Sequence, residues 1–188
     1  LVVLTIFLLI VVVFYSSQTL SHRAYREGEQ AAEITQNGRV ILERMTREIR
    51  QAKEIVTELA DDEAGATSTI MFQDGHDIST IHYIRYFKDS GDIKRSVVAY
   101  YFSADPTTYV VWNAKDEIGN PPGGPDSCVF DDCPNCPPTC KILEEARVIG
   151  EYINNLKIWG SPTVNIFITL EKNDKTLDLK TKILGRNL

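Results

Sequence analysis

The chain has 188 residues, 43% of them hydrophobic and 24% charged, with a formal net charge of −6. That length and composition suffice for one domain with its own core and an appended element. Lys and Arg are interleaved with Asp and Glu and form no basic run, so the clustered cations that neutralise a phosphate backbone are missing and the bulk of the chain is not expected to bind nucleic acid.

The first element is LVVLTIFLLIVVVFYSSQ, apolar from Leu1 to Phe14 except for Thr5. As a helix this run spans about 21 Å at about 1.5 Å per residue, short of the roughly 20 apolar residues that a bilayer of about 30 Å requires. No cationic segment precedes it and no small-residue cleavage pattern follows it, so an ordinary secretory signal fits poorly. From Ser21 to about Leu59 the chain lacks Pro, and Ala, Glu, Arg, Gln and Leu dominate, which favours helix. Ile41, Met45, Ile49, Ala52, Val56 and Leu59 recur at steps of three and four and form a stripe expected to pack on a globular body. Glu43 to Arg47 and Arg44 to Glu48 stand at ion-pair spacing on the other face. The expectation is one continuous helix of nearly sixty residues, with 1–20 apolar and 21–60 turning amphipathic. Gly28 and Gly38 are tolerated positions within it, each costing about 1 kcal/mol against Ala.

Beyond Asp61-Asp62-Glu63-Ala64-Gly65 the hydrophobic period changes to that of strands. STIMFQ, STIHYIRYF, KRSVVAYYFS and TTYVVWNA are β-branched and aromatic runs separated by turns such as Asp74-Gly75 and Asp89-Ser90-Gly91-Asp92. After a Pro/Gly/Cys-rich insert at 119–141, RVIGEYINNLKIW leads into TVNIFITLEKNDKTLDLKTKIL. There Val164, Ile166, Ile168, Leu170 and Leu177, Leu179, Thr181, Ile183 alternate on either side of Lys172-Asn173-Asp174-Lys175, which predicts a hairpin. The fold class is therefore α+β: a long N-terminal helix on an antiparallel body that occupies 61–188.

Running straight from LVVLTIFLLIVVVFYSSQ into QNGRVILERMTREIRQAKEI, and closing on LDLKTKILGRNL, the chain resembles the type IV pilin-like superfamily, which includes pilins and the pseudopilins of type II secretion. It looks most like the larger minor subunits, the J-type pseudopilins and their type IV pilus counterparts. One departure is Thr5, because the family carries a glutamate at the fifth residue of the mature, methylated chain. The expectation is that a cleavage site and this glutamate lie just upstream of Leu1, where a few more residues would also complete a membrane span.

The resemblance implies a structural subunit with no catalytic residue, cofactor, metal or small-molecule substrate. It would be held first in the cytoplasmic membrane as a single-pass protein, then packed into an extracellular or periplasmic filament with other copies or other pilin-like subunits. The assembly helix is assigned to Leu1, Val2, Val3, Leu4, Ile6, Phe7, Leu8, Leu9, Ile10, Val11, Val12, Val13 and Phe14, whose burial at about 25 cal/mol per Å² would hold such a bundle together. With no Gly or Pro in that run, the helix is expected to stay wound. The alternatives are a membrane-anchored monomeric binding module and a minor pseudopilin of type II secretion.

In an exported body Cys128, Cys133, Cys136 and Cys140 read as two disulfides stapling a Pro-rich loop, with three connectivities open. Four thiolates holding a metal, or free thiols, are the competing readings. Asp74-Gly75-His76-Asp77 is expected to be a turn. Asp61, Asp62, Glu63 and Asp126, Asp131, Asp132 are read as solvated loop charge rather than calcium ligands. Trp112, Trp159, Tyr83, Tyr86, Tyr100 and Tyr101 are assigned to strand packing in preference to a partner-binding patch.

Overall fold

The computed structural model describes residues 2–76, 80–102, 105–114 and 140–184, except for the side chains of Leu4 and Cys140. Leu1, Cys128, Cys133, Cys136, Asp126, Asp131 and Asp132 lie outside the described residues, so the disulfide and acidic-insert assignments fall outside them too. The chain is α+β: one long helix followed by antiparallel strands.

Helix α1 runs from Val2 to Gln51 without interruption, about 75 Å at about 1.5 Å per residue. It ends at Gln51 and not near Leu59, which corrects the boundary drawn from the apolar stripe. Beyond Ala52 the backbone finds better partners in a strand: Lys53 N–H donates to Gln73 O at 3.0 Å and Val56 N–H to Met71 O at 2.9 Å. Gly75 permits the crossing, because a Cβ there would overlap the Gln51 carbonyl. Val56 and Leu59 therefore leave the helical stripe; Val56 is buried in a separate cluster and Leu59 is partly buried against the main one.

The first sheet comprises β1 (Glu54–Ile55), β2 (Thr69–Gln73), β3 (Tyr83–Asp89), β4 (Asp92–Phe102), β5 (Asp105–Val110) and β6 (Cys140–Gly150). Neighbouring strands run in the order β1-β2-β3-β4-β5, and β6 pairs with β4 as well. The second sheet is β7 (Ile153–Trp159), β8 (Thr163–Lys172) and β9 (Lys175–Leu184), in that order. The β8–β9 hairpin keeps one register from Thr163 opposite Leu184 to Lys172 opposite Lys175. Its turn puts Asn173 at φ 53°, a left-handed conformation that Asn accepts more readily than most residues. Reciprocal hydrogen bonds between Thr67 and Ile158, at 3.0 and 2.8 Å, join the two sheets.

Alternation in these strands sends one face inward. Ile70, Phe72, Ile84, Tyr86, Ile93 and Val97 from the first sheet meet Leu156, Ile158, Val164, Ile166, Ile168 and Leu170 from the second, with Ile41, Met45 and Ile49 of α1 and Ala52 just past its end in the same cluster. These last four side chains have no solvent exposure. A second cluster gathers Val56, Met71, Tyr83, Val98 and Tyr100, where Tyr83 and Tyr100 pack edge to face with ring centres 5.3 Å apart. Burial pushes the Tyr83 hydroxyl up to about 12, and burial together with the Glu48 carboxylate pushes Tyr86 up as well.

Close approach of helix to sheet depends on glycine at two places. A Cβ on Gly38 would overlap the Leu179 side chain, and one on Gly150 would overlap Ile41, while Gly28 has nothing within 4 Å. Ile41 is fully enclosed and has nowhere to go. Gly150→Ala is expected to destabilise the body by about 1–3 kcal/mol through overpacking, read as a lower urea midpoint. Gly28→Ala should leave that midpoint unchanged and raise helicity by circular dichroism, since Ala is the better helix former by about 1 kcal/mol.

Candidate assembly surface

The first turns of α1 touch nothing else in the chain. Among the described side chains from Val2 to Phe14, the large apolar ones are 47–81% exposed. The helix is nonetheless polar-satisfied from within. Thr5 Oγ1 donates to Val2 O at 2.8 Å, Ser16 Oγ to Val12 O at 2.8 Å and Thr19 Oγ1 to Tyr15 O at 2.6 Å. Back-bonding of this kind hides hydroxyls from an apolar surrounding.

Continuity with Tyr15, Ser16, Ser17 and Gln18 also revises the length argument. The uncharged part of the helix extends past Phe14, and the helix is long and apolar enough to cross a membrane by length and composition. The fourteen apolar residues alone fall short of a span, and the interfacial residues that continue them supply the rest. A bilayer accepts Tyr and small polar residues at its boundary.

Where the helix enters the body, ion pairs bracket it. Glu33 of α1 pairs with Lys172 at the end of β8, and Tyr152 Oη donates to Glu33 at 3.2 Å. Tyr152 holds φ 65° at the corner between β6 and β7, an uncommon conformation for a bulky side chain, and the Lys172 ammonium lies 4.4 Å from its ring centre. Asn37 Nδ2 donates to Glu151 O at 2.9 Å, and Glu27 faces Lys175 at 3.7 Å. About three turns beyond Asn37, Glu48 receives Tyr86 Oη at 2.7 Å, Arg95 Nε at 3.0 Å and Arg44 Nε at 3.3 Å. Arg95 continues to Glu144 of β6 at 2.8 Å, so a single carboxylate on α1 gathers groups from β3 and β4.

Neither carboxylate stood out in the sequence. The sequence spacing marks Glu48 only as half of an i,i+4 pair with Arg44, and that pair does form. Glu43 and Arg47, the companion pair, do not come within ion-pair distance. The usable signal was position: Glu48 lies beside Met45 and Ile49 on the edge of the stripe, where a charge needs a partner from the sheet.

The remaining candidates have local roles. Asp62 caps the short turn Glu63–Gly65 by accepting from the Ala64 and Gly65 amides, each at 3.1 Å. Glu63 faces Lys157 at 2.9 Å and Lys180 at 3.9 Å. Asp74 accepts from the His76 amide at 2.9 Å and lies 2.9 Å from His82 Nε2, spanning the turn. Among the described residues no three His, Cys, Asp or Glu side chains converge. Tyr83, Tyr86 and Tyr100 are wholly enclosed and Trp159 nearly so, whereas Trp112 and Tyr101 keep part of their surface in solvent.

A long apolar N-terminal helix on an antiparallel sheet body is a pilin-like architecture. No family model, no curated protein and no solved structure matches the chain.

The helix-entry contacts titrate in a definite sense. The Lys172 hydrogen bond holds the Glu33 carboxyl below its ordinary 4.5. A depressed carboxyl stabilises the fold above its unfolded value, and the contribution disappears as pH falls through the folded one. Hydrogen-exchange protection across residues 27–36 is expected to be flat from neutral pH down to about 5 and to fall below about 4, a step that Glu33→Gln removes. Glu48→Ala should cost about 2–4 kcal/mol in urea unfolding, because the Arg95 Nε–H and the Tyr86 hydroxyl lose the carboxylate that accepts them while Arg95 keeps only Glu144.

Proposed function

We propose that the chain is a structural subunit of a type IV pilin-like filament, held first in a membrane by the N-terminal part of α1 and then packed through the same helix on other copies or related subunits. One observation carries this reading: a single unbroken helix is exposed and apolar at one end, while at the other it lays a stripe of Ile41, Met45 and Ile49 fully enclosed against the body. A large exposed apolar patch on a folded protein marks a surface that another apolar body covers. Lipid covers it while the chain is in a membrane. Side chains of neighbouring helices cover it in a filament, where a head-to-tail contact that does not close repeats indefinitely.

The back-bonded hydroxyls of Thr5, Ser16 and Thr19 suit both surroundings, since neither lipid nor a packed bundle offers them water. The body has no role in chemistry on this reading. It is carried on a stiff stalk and presented outward, and its strand surfaces are available for display. A membrane-anchored monomer would use the same helix only as an anchor.

The two readings separate in one experiment on the full chain. Phe7, Val11 and Phe14 lie close to one line of the helix, on the side away from the body. Converted together to Ala they keep the run apolar and remove its packing bulk. The filament reading expects that the unaltered chain forms sedimentable fibres on detergent removal, visible by negative-stain microscopy. The triple variant should still partition into membranes and should yield at least tenfold less fibre. An unaltered chain that remains monomeric under those conditions contradicts the filament reading and leaves the anchored monomer.

A further inference from the structure

We infer that the outward face of α1 between Arg39 and Arg50 is a docking groove for a second copy of this chain, whose own Glu29 enters it. This rests on the filament reading and names the contact that would set the displacement between neighbouring copies.

The face opposite the buried stripe is grooved. One groove of about 550 Å³ is lined by Leu42, Glu43, Thr46, Arg47, Arg50 and Lys180. At Glu43 it runs into another of about 570 Å³, which Arg39 and Val40 line beside smaller residues. Val40 is 53% exposed, an apolar side chain left in water. Arg39, Arg47 and Arg50 are exposed, and none of them forms an ion pair among the described residues, although Arg44 on the same helix is held by Glu48. Three uncompensated guanidinium groups along one face of a chain with net charge −6 leave a cationic groove with an apolar floor. The complement to such a groove is a helix that carries an unpaired carboxylate.

The lower part of α1 meets that description. Glu27 and Glu33 face Lys175 and Lys172, but Glu29 is exposed and without an ion pair among the described residues. Beside it Gly28 has open space around it, so a neighbour can approach the backbone closely. Glu29 and Arg47 are eighteen residues apart, which is five turns of 3.6 residues, so both project along the same line of the helix. A second copy facing the first and displaced by those five turns, about 27 Å, sets its Glu29 against Arg47 with Arg50 one turn further on.

The same displacement sets Tyr25 of the second copy, exposed and on that line, against Glu43, whose carboxylate has no partner among the described residues. Its hydroxyl can donate there. One displacement therefore serves two otherwise unmatched groups. Because the contact joins the lower half of one helix to the upper half of the next, it leaves the complementary halves free and does not close.

The test uses the purified full chain, with fibre formation on detergent removal followed by sedimentation. Three variants are compared with the unaltered protein: Glu29→Arg; Arg47→Glu with Arg50→Glu; and all three together. The altered side chains are exposed, so the urea midpoint of the body serves as a control that each variant folds. The docking contact expects at least a tenfold loss of fibre in each of the first two variants and recovery in the combined one, because the charges are then exchanged. Normal assembly by either of the first two overturns the contact while leaving the filament reading in place. Loss without recovery in the combined variant overturns the pairing of Glu29 with Arg47. If the unaltered chain forms no fibres, the filament reading itself fails and the docking contact with it.

Discussion

The structure depends on four side chains that have to be out of water at once. Ile41, Met45 and Ile49 of α1 and Ala52 just past its end continue one stripe and are fully enclosed between strands of both sheets. Fully burying a large aliphatic side chain is worth about 1.5–3 kcal/mol, and the sheets' inward alternation supplies the other half of the contact. The geometry follows from this. Gly150 and Gly38 are small because the helix lies close there, and Glu48 is tolerated at the edge because Tyr86 and Arg95 reach it. The two sheets are held in one body because both contribute to the cluster that the helix covers.

The same stripe explains why the helix can project. Helical segments in isolation are marginal, since nucleation is costly and packing supplies most of the stability. Here the stripe packed on the body stabilises the last turns, and the residues before Ile34 continue the same helix outward. Contacts at the entry, Glu33 with Lys172 and Asn37 with Glu151, fix the direction in which the stalk leaves the body. Between Ser21 and Glu33 the Ala, Glu, Arg and Gln residues supply good intrinsic propensity, whereas the Val- and Ile-rich run before them has less and continues a helix already formed.

Much of this was legible in the residues, and the exceptions have physical causes. The apolar run, the stripe and the β8–β9 alternation are periodic signals, and each corresponds to an element. The helix end was misplaced because Val56 and Leu59 continue the helical spacing by chance, while the hydrogen bonds that draw the segment into β1 come from residues far along the chain. Gly28 and Gly38 look alike in sequence; only the distance to Leu179 and Leu170 distinguishes a neutral glycine from a required one. The corner at Tyr152 was invisible for the same reason, since its partners Glu33 and Lys172 belong to α1 and to the end of β8 and not to its neighbours in sequence.

On the filament reading, burial of the apolar run cannot be what favours a filament over a membrane. Lipid tails are as apolar as Leu, so moving Val2–Phe14 from lipid into a bundle of like helices gains little from the hydrophobic effect. Its large contribution arises only relative to water, and so it keeps an extruded bundle together without selecting the arrangement of its members. The selection must come from contacts that lipid does not offer: close side-chain packing, and charges matched outside the hydrocarbon. An apolar run without a single distinguishing polar group would permit any axial displacement between neighbours. What singles out one displacement is charge placed above the run, on the outward line of the same helix, where Glu29 and Arg47 stand a whole number of turns apart.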